Sequence, residues 1–135
     1  MIYTNSDGGS RGNPGPGTIG VLVRENENIL EMYSEKIGSV TNNVAEYKAL
    51  IKALELALKY TKKELTCILD SELIVKQLFG EYRVKNKKLL QLFLRVQKLQ
   101  ENFEKIKYLH VKRNDEFQQI VDALVNNEFD KKGGV

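Results

Sequence analysis

The chain of 135 residues has one cysteine, one histidine and no long apolar run. A single cysteine excludes an internal disulfide, and its place in the apolar run LTCIL favours Cys67 as a buried structural thiol over a nucleophile. No stretch approaches the roughly 18 to 20 apolar residues that a membrane span needs, and no signal-peptide pattern opens the chain. We therefore expect a cytoplasmic protein with no membrane partner.

Length and composition predict the domain organisation. At 135 residues with 41% apolar content, the chain can bury one sizeable core, and it has no internal repeat and no linker-like segment. We expect residues 1–135 to form a single domain and the protein to be a monomer.

Charge is distributed unevenly, although the net charge is only +3. Residues 25–36 have four glutamates and one lysine, whereas residues 83–107 have eight cations and two acids. A solvated helix face explains a basic segment of this kind as well as a surface for phosphate backbones does. The basic residues of the second segment are Arg83, Lys85, Lys87, Lys88, Arg95, Lys98, Lys105 and Lys107.

Hydrophobic periodicity predicts an α/β protein. Three early strands with short connections favour an antiparallel meander, and the period then changes to that of helices. The predicted strands span residues 2–5, 19–24, 29–37, 65–69 and 106–111, and the predicted helices span 43–60, 71–79, 89–103 and 117–129.

Four acidic residues lie in settings that direct carboxylates toward one shared point. Asp7 opens DGGSRGNPGPG, Glu46 closes TNNVAE, Asp70 opens DSE after an apolar run, and Asp122 lies in VDAL. Such a surplus of hard oxygen ligands is what Mg²⁺ binding needs. The pattern predicts a metal-dependent enzyme.

Each acid also has a structural alternative. The glycines after Asp7 suit a plain hairpin and fit a phosphate-binding P-loop poorly, because no Gly-Lys-Ser/Thr follows. If Asn43 is the N-cap of its helix, Glu46 falls at N3 and caps the first turn. Asp70 could be a helix N-cap, and Asp122 could be an ordinary surface acid. Against capping, Asp70 stands beyond the carboxyl end of a strand, where ligands of α/β sheets gather.

The strings DGGSRGNPGPG, TNNVAEYKAL, DSELIVKQLFGEYRVK and HVKR with a later VDAL resemble the type 1 ribonuclease H family in order and separation. The likeness covers nearly the whole chain. It implies an α/β fold with a five-stranded mixed sheet, made of a three-strand antiparallel meander and two parallel strands, with helices on both faces.

The resemblance also implies an activity, namely endonucleolytic cleavage of the RNA strand of an RNA·DNA hybrid to 3′-hydroxyl and 5′-phosphate ends. Asp7, Glu46, Asp70 and Asp122 match the family's catalytic, metal-binding carboxylates. Two Mg²⁺ ions, or Mn²⁺ as a substitute, would be the cofactor and the hybrid the partner. With cations absent, the crowded carboxylates should have raised, coupled pKa values.

By the same resemblance, substrate contacts come from the segments beside the acids. Minor-groove contacts to 2′-hydroxyls would come from Asn13, Asn42, Asn43 and the backbone of Gly8, Gly9 and Ser10. Thr41 matches a position that grips a DNA-strand phosphate. Glu72 stands near the groove where the family often has glutamine.

Three features depart from the family pattern. Ser39 replaces an arginine that commonly supports the phosphate contact, and the basic insertion of some bacterial members is absent. The segment NDEFQQIV before Asp122 is longer and more acidic than usual, with Gln118 in place of an asparagine, so Asp115 and Glu116 are alternative fourth carboxylates. The only histidine, His110, lies in a predicted strand, which leaves no loop histidine to assist product release.

Two other functional classes remain. A DNA-acting enzyme on the same fold, such as a transposase or resolvase, would need similar acids but not the Gly-Ser and Asn-Asn strings. A noncatalytic hybrid-binding module would have lost part of its metal site, whereas Asp7, Glu46 and Asp70 are all present.

Overall fold

A five-stranded mixed sheet forms the centre of the structure, a computed structural model that describes residues 1–112 and 114–131. The strands lie in the order β3-β2-β1-β4-β5, with β1–β2 and β2–β3 antiparallel and β1–β4 and β4–β5 parallel. Their bounds are β1 Ile2–Ser10, β2 Gly15–Glu25, β3 Asn28–Val40, β4 Glu64–Leu69 and β5 Lys105–His110. The predicted meander followed by two parallel strands is confirmed.

Four helices cover the two faces of this sheet. They are α1 Asn42–Ala57, α2 Glu72–Leu78, α3 Lys87–Gln100 and α4 Glu116–Asp130. Helices α1 to α3 share one apolar core with the strand residues that face them, including Val21, Val23 and Leu65. Helix α4 packs against the strands of the meander. None of the helices in the described part of the chain has the length and apolarity needed to cross a bilayer.

The glycine-rich segment differs most from its prediction. Strand β1 continues to Ser10 and β2 begins at Gly15, with Gly8 opposite Ile19 and Ser10 opposite Gly17. Backbone hydrogen bonds between strands do not require alternating apolar side chains. The pattern of apolar residues therefore underestimates the lengths of both strands. Only residues 11–14 are left to form the connection.

The N-caps of α1 and α2 are not the residues that the capping alternatives for Glu46 and Asp70 require. Thr41, not Asn43, is the N-cap of α1, and its hydroxyl accepts a hydrogen bond from Val44 N at 3.3 Å. Ser71 is the N-cap of α2 and accepts from Ile74 N at 3.3 Å. Neither Glu46 nor Asp70 is therefore the residue that caps its helix.

Helix α1 lies unusually close to β1 at one glycine. A Cβ atom placed on Gly8 would be 2.2 Å from the carbonyl oxygen of Ala45, a distance that no side chain tolerates. The absence of a side chain at Gly8 lets the first turns of α1 rest on the strand directly after Asp7. Glu46 follows Ala45, so this contact brings its carboxylate close to Asp7 of β1.

We expect Gly8→Ala to destabilise the protein by about 1–3 kcal/mol, because the new methyl group meets backbone atoms that cannot rotate away. Equilibrium urea unfolding measures this change. Gly9→Ala is the matched control, since its Cβ would meet nothing nearer than 3.7 Å. Equal stability of the two variants would contradict the close-approach argument.

Candidate active site

Three of the four predicted carboxylates converge at one edge of the sheet. Ser6 of β1 pairs with Leu69 of the parallel strand β4, so Asp7 and Asp70 follow side by side. Glu46 reaches the same point from α1. Ligand oxygens of these three acids all lie within 4.8 Å of one another.

Asp122 reaches the same cavity from the opposite face of the sheet. It is exposed on α4 and lines a cavity of about 290 Å³ together with Asp7, Glu46 and Asp70. Of the alternatives, Asp115 is the N-cap of α4 and accepts hydrogen bonds from Phe117 N at 3.1 Å and Gln118 N at 3.0 Å. Neither it nor Glu116 lines the cavity.

Burial and repulsion change the ionisation of Asp7. Desolvation, followed by the charges of Asp70, Asp122 and Glu46, raises the pKa of Asp7 from 3.8 to about 8, and a hydrogen bond from the Gly8 backbone opposes this rise. A divalent cation would remove this repulsion. The clustered hard oxygen donors fit Mg²⁺ or Mn²⁺, and Asp7, Glu46, Asp70 and Asp122 would hold it.

The rest of this cavity is formed by the segment after Asp7 and by α4. Gly8, Gly9 and Ser10, three of the expected substrate contacts, line it together with Asn42. Sequence patterns did not indicate four further lining residues, Arg11, Val125, Asn126 and Phe129.

Arg11 is fixed at the rim of the cavity. Its guanidinium lies 4.5 Å from the ring centroid of Phe129 and 3.1 Å from the Asp130 carboxylate. Both partners belong to the last turn of α4, so the segment after β1 is attached to that helix.

A second cavity of about 300 Å³ adjoins the first at Asn42. It brings together the predicted residues Asn13, Thr41 and Asn43, and the Asn13 side-chain oxygen accepts a hydrogen bond from Asn42 N at 3.0 Å. Asn86 and Lys88, at the start of α3, complete its polar wall. Sequence analysis missed Asn86, although an asparagine before an apolar helix is an N-cap signal.

Three single residues can also be placed. The Glu72 carboxylate lies 3.0 Å from Lys76 Nζ, and Glu72 lines neither of these two cavities. Cys67 is fully buried, and burial raises the pKa of its thiol to about 12, which agrees with a structural thiol. His110 lies in β5 as predicted, although the strand ends there and not at Val111, and its side chain is exposed. Arg113 of the HVKR string lies outside the described residues.

Comparison with known proteins gives the family. A family described as "Reverse transcriptase-like" matches residues 5–128. "Ribonuclease HI" of Halobacterium salinarum is 37% identical over 130 residues, which cover 96% of this chain and 64% of the relative. The crystal structure of RNase H1 from that archaeon superimposes with a TM-score of 0.89 at 35% identity, covering 96% of this chain and 97% of the other. The chain belongs to the ribonuclease H family.

Two further ribonuclease H relatives bear on function and on length. LC11-RNase H1, solved in complex with an RNA/DNA hybrid, is 40% identical with a TM-score of 0.88, covering 96% of this chain and 97% of that one. "Bifunctional protein Rv2228c" of Mycobacterium tuberculosis is 38% identical over 131 residues, or 96% of this chain. This chain spans only 35% of the length of that mycobacterial protein.

We expect the metal-free protein to lose stability as pH rises from about 4 to about 8. The folded-state pKa of Asp7 lies above its ordinary value of 3.8, so the protonated carboxyl favours folding at low pH and this contribution is lost through about pH 8. Asp7→Asn should remove that slope and be more stable than the wild type at pH 8 without metal. Thermal unfolding at several pH values in EDTA measures both effects.

Added Mg²⁺ serves as the control for this prediction. It should stabilise the wild type at pH 8 and have little effect on Asp7→Asn, because the ion favours the ionised cluster. An unchanged pH slope in the variant would show that another group causes the dependence.

Proposed function

We propose that this chain is an endoribonuclease that hydrolyses the RNA strand of RNA·DNA hybrids, with two Mg²⁺ ions held by Asp7, Glu46, Asp70 and Asp122. The observation that carries the proposal is the convergence of three carboxylates from separate elements within 4.8 Å, in a cavity that Asp122 also lines. We also propose that residues 1–135 act as one domain and as a monomer.

The four carboxylates would act by holding the divalent cations next to the scissile phosphate. Two ions held by these four carboxylates would supply activation of the attacking water and stabilisation of the leaving 3′ oxygen, a chemistry that would give 3′-hydroxyl and 5′-phosphate ends. The cluster repels its own negative charge, so metal and the scissile phosphate should bind cooperatively. Mn²⁺ is the natural substitute because it accepts the same oxygen ligands.

Discrimination of RNA from DNA would come from the rim of the first cavity. Gly8, Gly9, Ser10 and Asn42 line it next to the acids, where a 2′-hydroxyl of the cleaved strand could meet backbone and amide groups. The hydrogen bond from Asn42 N to Asn13 holds the loop after β1 against the start of α1. The LC11 relative was solved in complex with an RNA/DNA hybrid, which supports a hybrid as the substrate.

The second cavity suits a phosphate of the DNA strand. Thr41 Oγ1 accepts a hydrogen bond from Val44 N, which leaves its own proton to donate to a phosphate oxygen. Lys88 from α3 lines this cavity and supplies a cation where Ser39 replaces the expected arginine. Other basic residues near the start of α3 would hold the flanking backbone.

Two candidates for a substrate contact remain. Asn43 lines the second cavity, whereas Glu72 lies outside both cavities. The Glu72 carboxylate lies 3.0 Å from Lys76 Nζ, and its other oxygen could accept a hydrogen bond from the hybrid.

We expect the wild type to cut the RNA strand of an end-labelled RNA·DNA hybrid with Mg²⁺ or Mn²⁺ and to leave a DNA·DNA duplex intact. Loss of a group that merely supports a metal ligand already costs about ten- to hundredfold, so Asp70→Asn should lower the cleavage rate by at least about a hundredfold. Gel analysis of the labelled products measures both rate and end chemistry.

An RNA·RNA duplex, tested in a separate reaction, establishes whether cleavage requires a DNA strand opposite the RNA. An intact hybrid with either metal, or equal cleavage by Asp70→Asn, would exclude the catalytic assignment and favour a noncatalytic hybrid-binding protein. Cleavage of DNA·DNA would instead favour the DNA-acting class.

We expect Asp122→Asn to lower the cleavage rate while leaving the unfolding midpoint nearly unchanged, because its exposed side chain lines the cavity. Asp115→Ala should do the reverse and cost about 0.5–2 kcal/mol of stability, because it removes an N-cap. Urea unfolding and initial rates on the hybrid separate the two effects. Glu116→Gln is the matched acid control, and a greater loss of rate in it than in Asp122→Asn would move the fourth carboxylate to residue 116.

A further inference from the structure

Helix α4 is joined to the sheet by a chain of buried side-chain hydrogen bonds. Arg24 Nε donates to Asn5 Oδ1 at 3.0 Å, and Asn5 Nδ2 donates to Gln118 Oε1 at 3.1 Å. Gln118 Nε2 then donates to the carbonyl oxygen of Ser6 at 2.9 Å. Asn5 is 0% exposed and Gln118 is 2% exposed, so water does not compete for these groups.

This chain of hydrogen bonds has a fixed direction. Arg24 can only donate and the Ser6 carbonyl can only accept, so each amide between them must use its oxygen on one side and its nitrogen on the other. A carboxylate at residue 118 would have no proton for Ser6 O, and an apolar side chain would leave Asn5 Nδ2 and Ser6 O buried without this partner. Gln118 has the one side-chain chemistry of its length that satisfies both neighbours.

Arg24 and Gln118 are also held by contacts outside this series of hydrogen bonds. The Arg24 guanidinium lies 4.0 Å from the ring centroid of Phe117 and 4.4 Å from that of Tyr3, and its Nη1 donates to Asn26 O at 2.6 Å. On α4, Gln118 N also donates to the Asp115 carboxylate at 3.0 Å. Gln118 is thus fixed through its backbone as well as its side chain.

The position of this chain relates it to the acidic cluster. Ser6 directly precedes Asp7 on β1, and Gln118 lies four residues, or one helical turn, before Asp122 on α4. The bond from Gln118 to Ser6 therefore joins the two elements that bear these acids, next to each of them.

Packing alone does not fix the same relation. A Cβ on Gly20, the partner of Asp7 across β1 and β2, would be 2.9 Å from Val121 O, so the absent side chain allows α4 to approach. The missing side chain at Gly20 sets how closely α4 approaches the sheet. Apolar contacts have no preferred direction, so they resist sliding and rotation of α4 along the sheet only weakly.

We propose that Gln118, oriented by Asn5, is a positioning residue that holds Asp122 against Asp7 so that the two carboxylates serve one metal cluster. The inference rests on the proposed function. It assigns a role to the segment before Asp122, where the protein's sequence departs most from the family pattern.

Gln118→Met tests the inference, because methionine keeps the length of the side chain and removes both hydrogen bonds. Leu99→Ala is the control, since Leu99 is a buried residue of α3 that lines neither cavity. The substitution should lower the unfolding temperature without altering these hydrogen bonds. Two quantities are measured for each variant. They are the rise in unfolding temperature with increasing Mg²⁺, which needs no activity, and kcat and KM on the RNA·DNA hybrid.

We expect Gln118→Met to need roughly ten- to hundredfold more Mg²⁺ for half of its stabilisation, and its kcat to fall by a similar factor with KM for the hybrid changed by less than about threefold. Leu99→Ala should keep the wild-type Mg²⁺ midpoint and kcat at a temperature where it is folded. If Gln118→Met behaves as Leu99→Ala does, Gln118 is only structural and the inference is wrong.

A double-mutant cycle with Asp122→Asn tests whether Gln118 acts through Asp122. In that background, Gln118→Met should change the Mg²⁺ midpoint by less than about twofold, because the carboxylate that it positions is gone. Independent, multiplying effects would overturn the inference. If the wild type binds Mg²⁺ but leaves the hybrid intact, the proposed function fails while the Mg²⁺ midpoints still decide the role of Gln118.

Discussion

Repulsion between carboxylates is the constraint on which the rest of the structure depends. Parallel pairing of β1 with β4 places Asp7 beside Asp70, α1 adds Glu46, and α4 brings Asp122 to the same cavity. Burial, and then the charges of the neighbouring acids, raise the pKa of Asp7 to about 8 when no cation is bound. Like-charged carboxylates stay this close only where surrounding contacts hold them together. The helices on either side of the sheet supply these contacts.

The two helices are held by different physical means. Helix α1 rests on Gly8 through backbone contact, which leaves no space for a side chain and little freedom for Glu46. Helix α4 approaches at Gly20, and its position along the sheet depends on directed bonds from Gln118 to Ser6 O and from Thr18 to Val125 O. Shape therefore fixes the acid on one face, and hydrogen-bond direction fixes the acid on the other.

Periodicity and local motifs predicted much of this arrangement. The order of all nine elements agrees with the structure, because each apolar stripe faces a core and so repeats with the period of its own element. The long pairing of β1 with β2 through glycines was not predictable in this way, since backbone hydrogen bonds leave no pattern in the side chains. Asn86 and Lys88 could not be placed beside Thr41 without the packing of α3 against α1.

The buried amide chain shows most clearly where sequence reasoning stops. Asn5 and Gln118 are 113 residues apart, and neither residue type implies the other until the sheet and α4 are assembled. Read along the chain, Gln118 is only a departure from the asparagine that the family pattern has at this place. In the folded protein, it meets Asn5 and Arg24, whose side chains complete a set of donors and acceptors that ends at the peptide before Asp7. The position of Asp122 thus depends on side chains far away in the sequence, and the residues around the carboxylate do not reveal them.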